Sequence, residues 1–226
     1  MQFHFLLAIP VLALVGCNQP EPSVPAVESP ASASATDRPV PLTLNSADEA
    51  TIAISDKGIG AAMFGMTLGE LKQLLGRTFE FKPEVPFMVD FDAIAVTQNG
   101  ETQYYILHFT ATPLADSDRF EILLTDHPNA RTIDSIGPGT SLQQAEAVYG
   151  KATLSYHLAN EGREYVRFAS LPTDNLAFRL GAFGDDTLAG IYPETADEYN
   201  ETHEYKDDAT IQWVEVTCPA LNCLQP

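Results

Sequence analysis

Four histidines, His108, His127, His157 and His203, fall in separate stretches of the chain with no ligand-type spacing between them. Zinc needs three or four such donors drawn to one point, so no metal site is expected. The carboxylate pairs Asp90/Asp92, Asp116/Asp118, Asp185/Asp186 and Asp207/Asp208 each supply a fraction of the six to eight oxygens that calcium takes. Nucleophile signatures are missing too: there is no G-x-S-x-G elbow and no S-x-x-K at a helix start. Gly65 and Gly139 lack the G-K-[ST] ending of a phosphate-cradling loop, so no cofactor is expected either. Hydrolysis by paired carboxylates needs two acids on opposite sides of a groove, and 31 acidic residues single out no pair. Recognition chemistry remains. Arg163, Arg167 and Arg179 are cations in a chain of formal net charge −19, and they suit an anion. Tyr104, Tyr105, Tyr165, Tyr192, Tyr199, Tyr205 and Trp213 suit a sugar or protein surface, and equally suit half-buried strand positions.

Two echoing stretches must position these groups. Gly65-Met66-Thr67-Leu68-Gly69-Glu70 runs on to Leu75-Gly76, and Gly139-Thr140-Ser141-Leu142-Gln143-Gln144 runs on to Tyr149-Gly150. Thr67 with Glu70, and Ser141 with Gln144, have capping-box spacing. Leu68, Leu71, Leu74 and Leu75, and Leu142, Ala145, Val148 and Tyr149, recur at helical intervals. Gly76 and Gly150 stand where a helix closes on a left-handed residue. Each copy predicts a short capped helix, and the equal internal spacing predicts an internal duplication.

Around each helix the pattern is β. Strands are expected at 51–54, 79–81, 91–96, 103–109 and 119–124 in the first copy, with a Gly58/Gly60 loop before the helix. Pro83 and Pro86 are expected to interrupt the run at 79–81. Asn99-Gly100 between two β-rich runs is a strong hairpin signal. The second copy predicts strands at 152–157, 164–169, 176–180 and 187–191, with a closing strand at 211–216 that carries Trp213. Between them, the acidic run 194–208 reads as a solvated loop or loose helix.

The chain starts differently. Phe3 to Gly16 is apolar, of signal-peptide length, and too short to span a bilayer. It ends Leu14-Val15-Gly16-Cys17, which resembles the bacterial lipobox. That resemblance implies cleavage before Cys17 and acylation of its thiol, hence a bilayer contact through lipid chains. Asn18 after the cysteine favours the outer membrane. Residues 18–50 are rich in Pro, Ser, Ala and Glu without apolar periodicity, and read as a disordered spacer. Acylation of Cys17 accounts for the odd cysteine of three, leaving Cys218 and Cys223 to pair as a short disulfide in an oxidising compartment. The negative charge argues against nucleic acid as a partner.

A Gly-Met-Thr-Leu helix start running to Leu-Gly and followed by antiparallel strands resembles the unit of the BamE/SmpA-like superfamily of envelope lipoproteins. Two such units in tandem also resemble the β-lactamase inhibitor proteins. The matching residues are Gly65-Met66-Thr67 with Leu75-Gly76, and Gly139-Thr140-Ser141 with Tyr149-Gly150. They are scaffold, so the resemblance implies a fold and an interaction role without supplying binding residues. The expectation is an α+β protein of two tandem modules, each a short capped helix packed on an antiparallel sheet. Its parts are a leader (1–16), an acylated cysteine and spacer (17–50), a first repeat (51–126) and a second repeat (127–226). The expected function is a non-catalytic envelope lipoprotein that binds another envelope protein, in assembly or inhibition. The alternatives are a small-ligand or anion-binding lipoprotein using Arg163, Arg167 and Arg179, and a carboxylate-dependent hydrolase.

Overall fold

The computed structural model describes residues 51–182, 187–193 and 197–219, all within one unit, Ser46–Pro226. The leader, Cys17, the spacer and Cys223 lie outside the described residues, as do Asp185, Asp186 and Glu194.

The described chain opens with a small meander of β1 (Ile52–Ser55), β2 (Gly58–Ile59) and β3 (Ala62–Met63). A plain loop was expected here. Gly58 permits the tighter hairpin, because a Cβ at that position would stand 1.9 Å from the Ala62 carbonyl oxygen. The far side of β1 pairs in parallel with β8 (Ala130–Arg131), which joins two distant parts of the chain.

Helices α1 (Leu68–Leu75) and α2 (Leu142–Tyr149) are capped alike. The hydroxyl of Thr67 accepts from the Glu70 N–H at 3.2 Å while the Glu70 carboxylate accepts from the Thr67 N–H at 2.8 Å. Ser141 and Gln144 repeat the arrangement at 3.2 and 3.3 Å. Gly76 and Gly150 close the helices at φ 62° and 78°. The buried residues are Leu68 and Leu71 in α1, and Leu142, Ala145 and Tyr149 in α2. Leu74 and Val148, read from the sequence as part of the apolar stripe, are instead 63% and 47% exposed. At about 100° per residue, a position six beyond Leu68 or Leu142 lies roughly 240° round the helix and misses the core.

Among the described residues the main sheet has nine strands. The first half holds β4 (Phe79–Glu84), β5 (Phe91–Gln98), β6 (Glu101–Phe109) and β7 (Ile122–Thr125). The second holds β9 (Ala152–His157), β10 (Arg163–Phe168), β11 (Leu176–Ala182), β12 (Tyr199–Thr202) and β13 (Trp213–Thr217). Their order across the sheet is β12-β9-β10-β11-β13-β7-β6-β5-β4, every neighbour antiparallel. Strand β13 therefore lies between β7 and β11 and stitches the halves together. The turn between β5 and β6 has Asn99 at φ 54° and Gly100 at φ 86°, the two positive angles of a tight hairpin. The fold is α+β, predominantly antiparallel sheet with two short helices packed on it.

Three expected elements differ. Pro83 does not end its strand: β4 runs through it to Glu84, because β4 is an edge and gives up no ladder bond on its free side. The strand expected at 187–191 is absent, reduced to a bridge between Gly190 and Tyr205. The N–H groups of Ala189 and Gly190 donate instead to the carboxylate of Glu164, at 2.7 and 2.8 Å. The acidic run expected as loop or loose helix contains β12, which adds to the free edge of β9. Its acids are accommodated by alternation, with Asn200 buried and Tyr199 and Glu201 outward.

One face of the sheet packs against both helices in a core that includes Leu71, Ile106, Phe120, Leu142, Phe178 and Val214. Residues of opposite parity face the other way. There a smaller cluster of Ala93, Leu107 and Leu124 is covered by Phe87, Met88, Tyr105 and Trp213.

Candidate functional site on the outer sheet face

Strand register assembles the outer face from both halves. Tyr165 on β10 stands opposite Arg179 on β11, which stands opposite Trp213 on β13. One row along, Ala177, Glu215, Leu124 and Tyr105 lie in line across β11, β13, β7 and β6. The loop joining β4 to β5 folds over this surface. Phe87 packs on Tyr105 with ring centroids 4.8 Å apart, and Tyr105 on Trp213 at 5.8 Å. Met88 reaches further, to the second half: its sulfur accepts from Nη1 of Arg163 at 3.2 Å and from Nη1 of Arg179 at 3.5 Å. The next residue, Val89, donates its N–H to the Glu161 carboxylate at 3.1 Å, and Glu161 in turn pairs with Arg163 at 3.2 Å. Arg179 lies 5.8 Å over the ring of Tyr165, within cation–π range.

Burial gives this face unusual electrostatics. Burial raises the carboxyl pKa of Glu215, and Arg179 and Arg163 pull it part of the way back. Burial lowers that of the Arg179 guanidinium. The phenols of Tyr165 and Tyr105 are pushed up by burial, then by the charges of Glu215 and Asp126 respectively. Burial raises Asp126 as well, against its own backbone hydrogen bond and nearby His127. Perturbed groups gather where charge has been taken out of water, and functional sites are one place where that happens.

Of the three arginines singled out in the sequence, the structure brings two together. Arg163 and Arg179 meet at Met88, whereas Arg167, with a side chain 69% exposed, pairs with Glu201 at 3.0 Å. Thr67, Glu70, Gly76, Ser141, Gln144 and Gly150 are engaged in capping and face no cleft together with the arginines. Cys218 is disulfide-bonded and buried, and its expected partner Cys223 lies outside the described residues. Two of the histidines serve backbone turns, and His203 reaches across to the Ala152 carbonyl at 3.1 Å. His127 Nδ1 accepts from the Asn129 N–H at 3.1 Å, and His157 Nδ1 accepts from the Ala159 N–H at 3.1 Å. Among the described residues no three His, Cys, Asp or Glu side chains group to hold a metal ion.

Three participants had no sequence signal strong enough to single them out. Phe87 and Met88 sit in a proline-flanked loop whose crossing of the sheet is a long-range event. Glu215 alternates with apolar neighbours, as a residue on a solvated face would. The face that results combines aromatic rings and arginines with a methionine over a half-buried floor, residue types enriched at the cores of interfaces. Elsewhere lie clefts of about 270 Å³ beside Tyr149 and Leu176 and about 240 Å³ beside Phe91 and Phe120, and a wider, open one of about 500 Å³ beside Arg131, Gly139 and Gln144.

No known family model matches the chain, and neither a curated protein nor a solved structure matches it significantly.

Proposed function

We propose that this protein is a lipid-anchored envelope protein whose folded part is a non-catalytic protein-interaction module, with the outer face of the nine-stranded sheet as its docking surface. The observation that carries the reading is the continuous patch Phe87–Tyr105–Trp213–Arg179–Tyr165, drawn from both halves of the sheet. Such residues give large contact area for little lost rotamer freedom, and they dominate binding energy where they occur at interfaces. Exposed Val85 and Val89 flank the patch on the loop above it.

The module is read as a tandem duplication, 51–126 and 127–226. Strands β4-β5-β6-β7 follow α1, β9-β10-β11-β13 follow α2, and the two sets meet at β7–β13, with β12 added outside β9. The helix starts agree in detail. Thr67 bridges Arg119 just before β7, and Ser141 bridges Thr210 just before β13. Leu68 and Leu142 donate to the carbonyls of Asp118 and Ala209, at 2.9 and 3.0 Å. This agreement supports the resemblance to tandem BamE/SmpA-like units. Acylation at Cys17, a spacer and an outer-membrane location complete the reading.

The test is site-specific photo-crosslinking in cells. A crosslinker at Val89 or Thr217 is expected to trap a discrete envelope protein, and one at Gln73 or Gln143 on the helices is not. Cys17→Ser is expected to lower the yield by releasing the tether. Trapping from the helices alone, or no trapping from the outer face, overturns the assignment.

A further inference from the structure

Resting on that docking reading, we infer that Arg163 and Arg179 form a receptor for a single carboxylate side chain of the partner, and that Met88 is the internal stand-in which the carboxylate displaces. Two guanidiniums are brought side by side and largely taken out of water, the Arg163 side chain being 11% exposed. Removing such charges from solvent is costly unless strong acceptors replace the water. The acceptor they share is a thioether sulfur, a weak and uncharged one. Nε of Arg179 is buried and has no hydrogen-bond partner. The pair is thus short of acceptor capacity, and a carboxylate supplies two oxygens suited to forked guanidinium donors.

The carboxylates beside the pair favour a monoanion over a dianion. Glu161 neutralises Arg163 through the 3.2 Å pair, and Arg163 also donates Nε to the Asn160 carbonyl at 3.1 Å. Glu215 lies near both guanidiniums, and burial raises its carboxyl pKa. Arg179 itself has no carboxylate within salt-bridge distance among the described residues. A phosphate dianion would face Glu161 and Glu215 with an excess charge, and a polyacidic segment would meet the field of a chain with net charge −19. An isolated Asp or Glu between apolar residues fits, because Phe87, Tyr105 and Trp213 continue the floor beside the arginines. The partner's acidic side chain would enter as Met88 swings out on its loop, whose own tether to the second half is the Val89–Glu161 bond.

Methyl-¹³C labelling of methionine in the full chain gives a reporter at Met88. The probes are an acetylated, amidated pentapeptide Ala-Phe-Asp-Phe-Ala, the same peptide with Asn for Asp, and sodium acetate, all at matched ionic strength. The Asp peptide is expected to move the Met88 methyl resonance saturably, with the Asn peptide and acetate each at least about tenfold weaker, the loss of one charge-assisted pair. Arg163→Gln with Arg179→Gln is expected to abolish the saturable shift. Met88→Ala, followed by calorimetry, is expected to tighten binding of the Asp peptide severalfold because the competing acceptor is gone. Equal binding of Asp and Asn peptides, or unchanged affinity in Met88→Ala, overturns the inference. Acetate binding as tightly as the Asp peptide overturns the partner side chain as source in favour of a free small anion. Outer-face crosslinking that survives the double arginine variant overturns this inference while leaving the docking reading standing. Its absence in the unaltered protein overturns the docking reading itself.

Discussion

Replacing Glu164 by Gln is expected to destabilise the fold by about 3–5 kcal/mol, although the side chain keeps its size and shape. Glu164 is fully buried on the helix side of β10. Oε1 accepts from the Gly190 N–H at 2.8 Å and from the Tyr192 hydroxyl at 2.8 Å. Oε2 accepts from the Ala189 N–H at 2.7 Å and, more weakly, from the Gly181 N–H at 3.4 Å. Hydrogen bonds to a charged group contribute about 1.5–3 kcal/mol each, and three are short. Gln keeps one carbonyl oxygen for one pair of donors and turns an NH₂ toward the other. Whichever way the amide is oriented, at least one backbone N–H then meets a donor in a site closed to water. The desolvation cost of the original carboxylate is recovered in part, which keeps the sum below the total of the lost bonds. For a unit of this size about 2–4 °C accompanies each kcal/mol, so the melting temperature should fall by roughly 10 °C. Tyr192→Phe removes one donor only and should cost about 1–2 kcal/mol. Calorimetry of both variants, with amide exchange across 187–193, measures the effect. A Gln variant that melts within a degree or two of the unaltered protein, with exchange at Ala189 and Gly190 unchanged, would refute the reasoning.

The two capping boxes should behave as equivalents. Thr67→Ala and Ser141→Ala should each cost about 1 kcal/mol in urea unfolding, and the double variant their sum, since the sites share no partner. The pH dependence at Glu215 has a defined sign. Its folded pKa lies above the ordinary 4.5, so the group's contribution is fully present below that pH and is lost as pH rises through the folded value. The stability of Glu215→Gln relative to the unaltered protein should therefore improve as pH rises from about 4 toward neutrality, and a flat difference across acid titration would contradict the assignment. Trp213→Ala should abolish outer-face crosslinking while leaving the far-ultraviolet circular dichroism spectrum unchanged. Cys17→Ser should move the protein from the detergent to the aqueous phase on Triton X-114 partition.

The local devices of this fold are legible in the chain, and the long-range ones are not. Thr67 with Glu70 and Asn99 with Gly100 specify a helix start and a hairpin because the partners lie within a few residues of each other. The alternation through 163–168 sorts Tyr165 and Arg167 outward from Val166 and Phe168. That parity also puts Glu164 inside, a consequence hidden by the rarity of buried carboxylates without a visible partner. Its partners are backbone N–H groups about 25 residues away, and backbone donors leave no mark in a sequence. The same groups explain why a β-rich run at 187–191 forms no strand. Leu74 and Val148 mislead because a hydrophobic residue in a short helix looks alike on either side, and only the angular position separates them. The meeting of Arg163 with Arg179 depends on strand pairing, and their cover by Met88 depends on a contact between the β4–β5 loop and the second half of the sheet, neither of which spacing encodes.

The central position of β13 also governs how the chain reaches its native state. β13 is the last strand in chain order among those described, yet it has a neighbour on each side, about 30 residues back on β11 and about 90 back on β7. Until it arrives, both those strands present an unpaired edge. A nascent chain therefore carries two half-sheets that no early segment can join, and closing the seam is the late, entropically expensive event. During that interval the exposed edges of β7 and β11 invite any extended strand, including β13 of another copy, and reciprocal strand exchange is the characteristic misassembly. Refolding should slow and become concentration-dependent once the closing strand is weakened, for instance by Val214→Thr. Completion of the outer sheet face is then coupled to completion of the fold, since Trp213 reaches its place only in that last step.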